Sequence, residues 1–253
     1  MRKTLLIAAA ALASGIISSQ AGVYSQNIVG YANVPATGGR NTFIEVPFTI
    51  GASNGINEVF GTSLPLYSTI LTWTGTGFST ALFDNGNGPG TPVWYQGDDA
   101  TPLTTLPTVP PGVGFFININ GPTLTNTFAG AVAINVDTTN SVALVAGRNN
   151  AVGSAVPYAG AVTNVGVNAD GHLSGGPNLN NLPLYSTFLF WNGGGFNTAL
   201  FDNGNGAGSP NWYYGDDATP YVDPSTGGNV PTITVGQGFF INPNGPYTWT
   251  EGL

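Results

Sequence analysis

The chain has no cysteine, one histidine, one methionine and only four basic residues among 253. Lacking cysteine, it can form neither disulfides nor thiolate metal sites, so packing or bound ions must stabilise its fold. The lone histidine, His172, could partner only serine in a nucleophile-and-base scheme, and no motif supplies such a pair. It reads as a solvated loop residue, since paired and perturbed groups mark sites. Long amphipathic helical periods are also missing, which argues against a helical or α/β fold.

The basic residues are Arg2, Lys3, Arg40 and Arg148. The first two open a stretch that reads as a cleaved secretory signal: a basic start, an apolar run from Leu5 to about Ile17, and Ser19-Gln20-Ala21 before Gly22. Residues 1–21 are therefore expected to be removed, and the mature protein to act in the periplasm, at the cell surface or outside the cell. No later segment is long and apolar enough for a membrane-spanning helix. With twelve acids against Arg40 and Arg148, the expected mature charge is 2 − 12 = −10, with no lysine. Such a surface repels phosphate backbones and anionic headgroups, which excludes nucleic acid as a partner class.

What remains is 42% apolar and 11% aromatic, in a matrix of Gly, Asn, Thr and Ser. Low charge with that hydrophobicity means a folded chain. The stretch Leu64–Gly88 returns as Leu182–Gly206, 182 − 64 = 118 positions later, and five of its twenty-five positions differ. The match continues through Trp94-Tyr95 and Gly97-Asp98-Asp99 to Trp212-Tyr213 and Gly215-Asp216-Asp217. Each copy must be one structural unit.

Within the first copy, Thr69–Thr74, Phe78–Asp84 and Pro92–Gln96 read as a three-stranded meander, with Asn85-Gly86-Asn87-Gly88 as its hairpin. Gly112–Asn120 reads as a further strand, matched by Gly236–Asn244. The only helical stretch is Gly55–Gly61, capped by Ser53 or Asn54. The expected fold is all-β: two tandem homologous small β-sandwich or barrel-like units of antiparallel strands, residues 22–130 and 131–253, with at most one short helix each. Leu71 and Trp73, matched by Leu189 and Trp191, are expected to face their own unit's core. Ile70 and Thr72 become Phe188 and Phe190, so those rings are expected to meet an extra cover, either the other unit or a neighbouring molecule.

Asn27-Ile28-Val29-Gly30-Tyr31, Gly-x-Asn before Val-Pro, the Trp-x-Gly-x-Gly-Phe meander and Gly-x-Gly-Phe-Phe-Ile together resemble a group of uncharacterised exported bacterial proteins built from two such β-units. The resemblance covers nearly the whole mature chain and implies no activity.

Candidate chemistry is sparse. Asp84 with Asp98 and Asp99, and the copies Asp202, Asp216 and Asp217, offer hard oxygen ligands for calcium, although position three and position twelve of a calcium loop are Gly86 and Tyr95. Tyr95 and Tyr213, with Asn85, Asn87, Asn203 and Asn205, are candidates for stacking on and hydrogen-bonding a glycan, the tryptophans being assigned to the core. Arg40 and Arg148, at equivalent places, are each expected to pair with an Asp of their own unit. Gly112-Val113-Gly114 precedes a strand, not a helix, and is no phosphate loop. The sequence thus points to a non-enzymatic structural or adhesive protein whose partners are itself, other surface proteins or a glycan. The alternative is a bivalent carbohydrate binder.

Overall fold

The computed structural model describes residues 29–86, 90–97, 101–133, 140–163, 166–167, 173–174, 179–204, 210–215 and 219–251. Its first half carries β1 (Val29–Ala36), β2 (Asn41–Glu45), the single-turn helix α1 (Ile56–Phe60), β3 (Ser68–Trp73), β4 (Phe78–Asp84), β5 (Val93–Gln96), β6 (Gly114–Asn118) and β7 (Leu124–Ala131). The second half carries β8 (Asn140–Leu144), β9 (Asn150–Val152), β10 (Gly160–Ala161), β11 (Gly166–Val167), β12 (Leu173–Ser174), β13 (Ser186–Trp191), β14 (Phe196–Asp202), β15 (Asn211–Tyr214), β16 (Thr232–Ile233), β17 (Phe239–Asn242) and β18 (Tyr247–Glu251). The protein is all-β and its strand pairs are antiparallel.

The repeated segments build two five-stranded sheets with one strand order, β2-β6-β3-β4-β5 and β9-β17-β13-β14-β15. Register is also reproduced: Ser68 opposes Phe83 as Ser186 opposes Phe201. Two-stranded ribbons, β1–β7 and β8–β18, accompany them, and neither large sheet closes into a barrel. One core holds Ala32, Val34 and Phe128 of the first ribbon with Ile70, Phe83, Trp94, Phe115 and Ile117 of the first sheet. Its counterpart holds Leu144 and Trp249 with Phe188, Phe201, Trp212, Phe239 and Ile241.

A third cluster lies where the two sheets meet: Phe43 and Phe116 from the first, Phe240 from the second, flanked by Leu71, Trp73, Leu189 and Trp191. The expected strand faces are therefore reversed. Leu71, Trp73, Leu189 and Trp191 point at the opposite sheet, while Ile70 and Phe188 are fully buried in their own half. Both faces of β3 and β13 are covered, so alternation could not tell inside from outside. Nor does the cover on Phe190 come from the other half: Tyr221, in the longer 221–235 loop, meets it edge-on at 6.4 Å, and Phe188 stacks on Phe239 at 4.7 Å.

The junction is reciprocal. Trp73 donates its indole N–H to the Asn149 carbonyl at 2.8 Å, and Trp191 donates to the Asn41 carbonyl at 2.7 Å. The Glu45 N–H donates to Gly236 O at 2.8 Å, as Gly153 N–H does to Gly112 O at 3.2 Å. Such exchange of equivalent contacts is the pattern of a two-fold interface. It also covers the outer edges of β2 and β9, which would otherwise stand open.

Gly-x-Gly-Phe-Phe-Ile is the junction motif. The first glycine has φ +85 at Gly112 and +76 at Gly236, a region glycine alone enters without strain. At the second, a Cβ on Gly114 would come 2.6 Å from Val152 O, and one on Gly238 2.7 Å from Ile44 O. The paired phenylalanines then divide, Phe115 and Phe239 into their own cores, Phe116 and Phe240 into the shared one.

Helix α1 starts one residue after the expected position. Its cap is Gly55, and Glu58 reaches back to accept from the backbone N–H of Gly55 at 3.0 Å and of Ser53 at 3.0 Å. Asn54 instead lies buried with φ +52, donating to Phe48 O at 2.7 Å.

Candidate functional site

The junction creates the same cleft twice. One, of about 320 Å³, sets Arg40, Asn41 and Thr42 of the first half against Trp191, Asn192 and Gly193 of the second, with Gly236 and Gln237 as its floor. The other, of about 300 Å³, sets Arg148, Asn149 and Asn150 against Trp73, Thr74 and Gly75, with Gly112 and Val113 beneath. The correspondence holds residue by residue, each cleft borrowing its aromatic wall from the opposite half. Among the described residues neither guanidinium forms an ion pair, and the Gly-Asp-Asp carboxylates, Asp98, Asp99, Asp216 and Asp217, lie outside those residues.

A second duplicated feature is a tyrosine held in a strained backbone. Tyr67 has φ +66 and Tyr185 φ +67, a region costing a bulky residue about 1–3 kcal/mol. Their rings point outward, 56% and 57% exposed. Identical networks impose the conformation. Tyr67 N–H donates to Phe83 O at 2.7 Å and Tyr185 N–H to Phe201 O at 2.7 Å. Asn120 and Asn244 clamp the preceding carbonyls of Leu66 and Leu184 at 3.0 and 3.1 Å, while accepting hydroxyls of buried Ser68 and Ser186 receive their backbone N–H groups. Sequence reasoning passed over these tyrosines; their recurrence inside the repeat was the only signal available.

The residues singled out in sequence gather elsewhere, at the β4–β5 and β14–β15 hairpins. Asp84 and Asp202 are buried and each accepts the next N–H, from Asn85 and Asn203, at 2.7 Å. Tyr95 and Tyr213 are half-buried and fold over the turn: a Cβ on Gly86 would stand 2.6 Å from the Tyr95 hydroxyl, and Gly204 is crowded by Tyr213 in the same way. Asn87, Asn205, Asp98, Asp99, Asp216, Asp217 and His172 lie outside the described residues. Among the described residues no three His, Asp or Glu side chains converge. Trp94 and Trp212 are core residues, 2% and 1% exposed.

The second half carries a further pocket. Phe190, Phe196, Tyr214, Tyr221 and Val222 line about 360 Å³, with Asn197 and Thr198 as polar groups. The 221–235 loop that closes it is pinned by Asp223, which accepts from Ser225 N–H at 2.9 Å, Thr226 N–H at 3.1 Å and Thr232 N–H at 2.9 Å. Burial pushes the Asp223 carboxyl up, but the hydrogen bonds from Ser225, Thr232 and Thr226 outweigh it and bring the pKa to about 2. Tyr221 is shifted upward by burial and by that carboxylate.

Two acids are buried at the junction. Glu45 is 1% exposed, and neither carboxyl oxygen has a hydrogen-bond partner among the described residues. Burial, then the neighbouring Glu251 carboxyl, raises its pKa well above the ordinary value, against the lowering influence of the Gly112 N–H. Glu251 is raised by burial to about 7, although Ser154 Oγ and the Trp249 indole donate to it at 3.0 and 2.6 Å. No protein-family model matches the chain, and neither a curated protein nor a solved structure shows significant similarity to it.

Proposed function

We propose that this is an exported, non-enzymatic β-repeat protein with a structural or adhesive role at the cell surface or in an extracellular assembly. Two homologous sandwich-like units, residues 22–130 and 131–253, follow an N-terminal signal at 1–21. The observation that carries the reading is the duplicated tyrosine. A left-handed backbone is costly for a bulky residue, and both rings are more than half exposed, so strain of this kind points to function. Tyr67 and Tyr185 are displayed at matching places on two units locked together by a shared aromatic core, so they meet a partner surface at fixed spacing.

The test is attachment of cells, or of beads coated with the protein, to its native surface. Tyr67→Ala with Tyr185→Ala should lower attachment about tenfold or more through lost avidity, each single change less. Unchanged attachment, or a protein retained in the cytoplasm, would sink the reading.

The second reading is a carbohydrate binder, favoured by the Phe190–Phe196–Tyr214–Tyr221 pocket, whose aromatic walls and few polar groups suit a sugar ring. This pocket lies beside the 221–235 loop and not at the repeated hairpins expected to carry the bivalent sites. Tyr214→Ala abolishing glycan-dependent fluorescence quenching would support it. Calcium at Asp84 with Asp98 and Asp99, and at Asp202 with Asp216 and Asp217, belongs to the same proposal; a thermal midpoint insensitive to chelator and to added calcium removes it.

A further inference from the structure

We infer that the two junction clefts are equivalent binding sites for a carboxylate-bearing sugar, with Arg40 and Arg148 as the groups that take the carboxylate. The inference rests on the adhesive reading for its biological setting and adds the chemical class of the surface recognised.

These arginines are the only cations among the described residues, in a chain with twelve acids. Each nonetheless stands exposed in its cleft with no ion pair to a described residue. The duplication serves as an internal control. Around the arginine the two copies have exchanged Thr42 for Asn150, Phe43 for Ala151 and Asn192 for Thr74, yet the guanidinium stays. It is kept together with the asparagine that follows it, Asn41 or Asn149, and with the tryptophan and glycine of the facing turn, Trp191 and Gly193 or Trp73 and Gly75. The guanidinium fork matches a carboxylate in two parallel hydrogen bonds, which a lysine cannot reproduce. Hydroxyl and amide groups on the remaining walls suit sugar hydroxyls, and about 300 Å³ accommodates a ring of that size. The chain's formal net charge of −8 disfavours a carboxylate away from the two arginines, so charge favours the clefts.

The clefts are not equally open. The Arg148 Nη1 lies 2.8 Å from where a Cβ on Gly75 would stand, so this guanidinium rests across the turn. No atom comes within 4 Å of the same point on Gly193, opposite Arg40. The Arg40 cleft should therefore bind more tightly.

Titration of the purified protein with galacturonate oligomers, against neutral galactose oligomers and a polyglutamate peptide, tests this. Trp73 and Trp191 line the clefts, whereas Trp94, Trp212 and Trp249 are buried, so ligand should shield the former pair from acrylamide quenching. The expected result is uronate-specific shielding. Arg40→Ala should weaken it more than Arg148→Ala, the double variant should lose about tenfold or more, and the two Arg→Lys variants should fall between. Uronate binding unchanged in the double variant, no binding at all, or equal arginine-dependent binding of polyglutamate each overturns the inference. Uronate binding that persists while Tyr67→Ala with Tyr185→Ala attaches normally leaves the clefts standing and removes the adhesive reading.

Discussion

The two halves share a skeleton and differ at a few paired positions where they touch. Strand order, register and the Trp–carbonyl exchange are reproduced, yet Glu45 stands opposite its own counterpart, Gly153, and a Cβ on that glycine would lie 2.6 Å from Glu45 Cβ. Phe43 has Ala151 as its equivalent. Phe128, which pairs with Ala32, is replaced by Glu251, which pairs with Asn140. A true two-fold dimer cannot make such changes, because every substitution appears on both sides at once. Joined in one chain, the halves diverged in complementary pairs, large against small, and a pair of buried acids collected in the space.

The largest effect should come from the part that has stayed symmetric. Phe116→Ala and Phe240→Ala should each cost about 3–5 kcal/mol, by similar amounts, because each empties the same shared cluster. Urea denaturation would measure both, and a difference above about 2 kcal/mol would break the equivalence of the sheets.

Gly153→Ala should cost about 2–4 kcal/mol by overpacking against Glu45. In a Glu45→Ala background the same change should become much cheaper. A double-mutant cycle with no coupling would mean the pair is not complementary.

The buried acids give the asymmetry a pH signature. A carboxyl raised in the folded state binds more protons there than when unfolded, so its contribution is whole below the unfolded pKa and is lost as pH rises through the folded one. For Glu251 that window runs from the ordinary 4.5 to about 7, with a loss on the order of 2–3 kcal/mol, and Glu45 extends it in the same direction. Asp223 works oppositely: its stabilisation is present above the ordinary 3.8 and lost as pH falls through about 2. Maximum stability is therefore expected near the ordinary carboxyl range rather than at neutrality. Thermal midpoints should fall between pH 4.5 and 7, and Glu251→Gln should flatten that slope.

The smallest contrast lies in the core tryptophans. Trp94 donates to Asn57 of α1 at 3.2 Å, while the Trp212 indole N–H is buried without a partner among the described residues. Trp94→Phe should exceed Trp212→Phe in cost by about 1 kcal/mol, the worth of one neutral hydrogen bond.

Much of this was legible in the repeat. The meander came through with its boundaries nearly intact, Phe78–Asp84 to the residue, because turn glycines and asparagines bracket it. The face assignment failed at Leu71 and Ile70 for a definite reason: alternation reports a wet side and a dry side, and these strands have two dry sides. Gly-x-Gly-Phe-Phe-Ile carried the missing information, since a contiguous apolar run after two glycines fits a strand buried on both faces beside another backbone. Of the predicted site residues, Tyr95 and Tyr213 proved to pack over their own hairpins, whereas Tyr67 and Tyr185 were unreadable, because a positive φ at tyrosine leaves no trace in residue type.

By itself, then, the sequence determined the all-β class, the duplicated meander and the acidic, cysteine-free character, all of which follow from local propensity, periodicity and composition. Only the tertiary structure decided which face of each strand is inside, that Arg40 meets the turn after Trp191 and Arg148 the turn after Trp73, and that Glu45 and Glu251 share one buried space. Those contacts join residues more than seventy positions apart, and no local pattern encodes a neighbour that arrives only when two sheets pack.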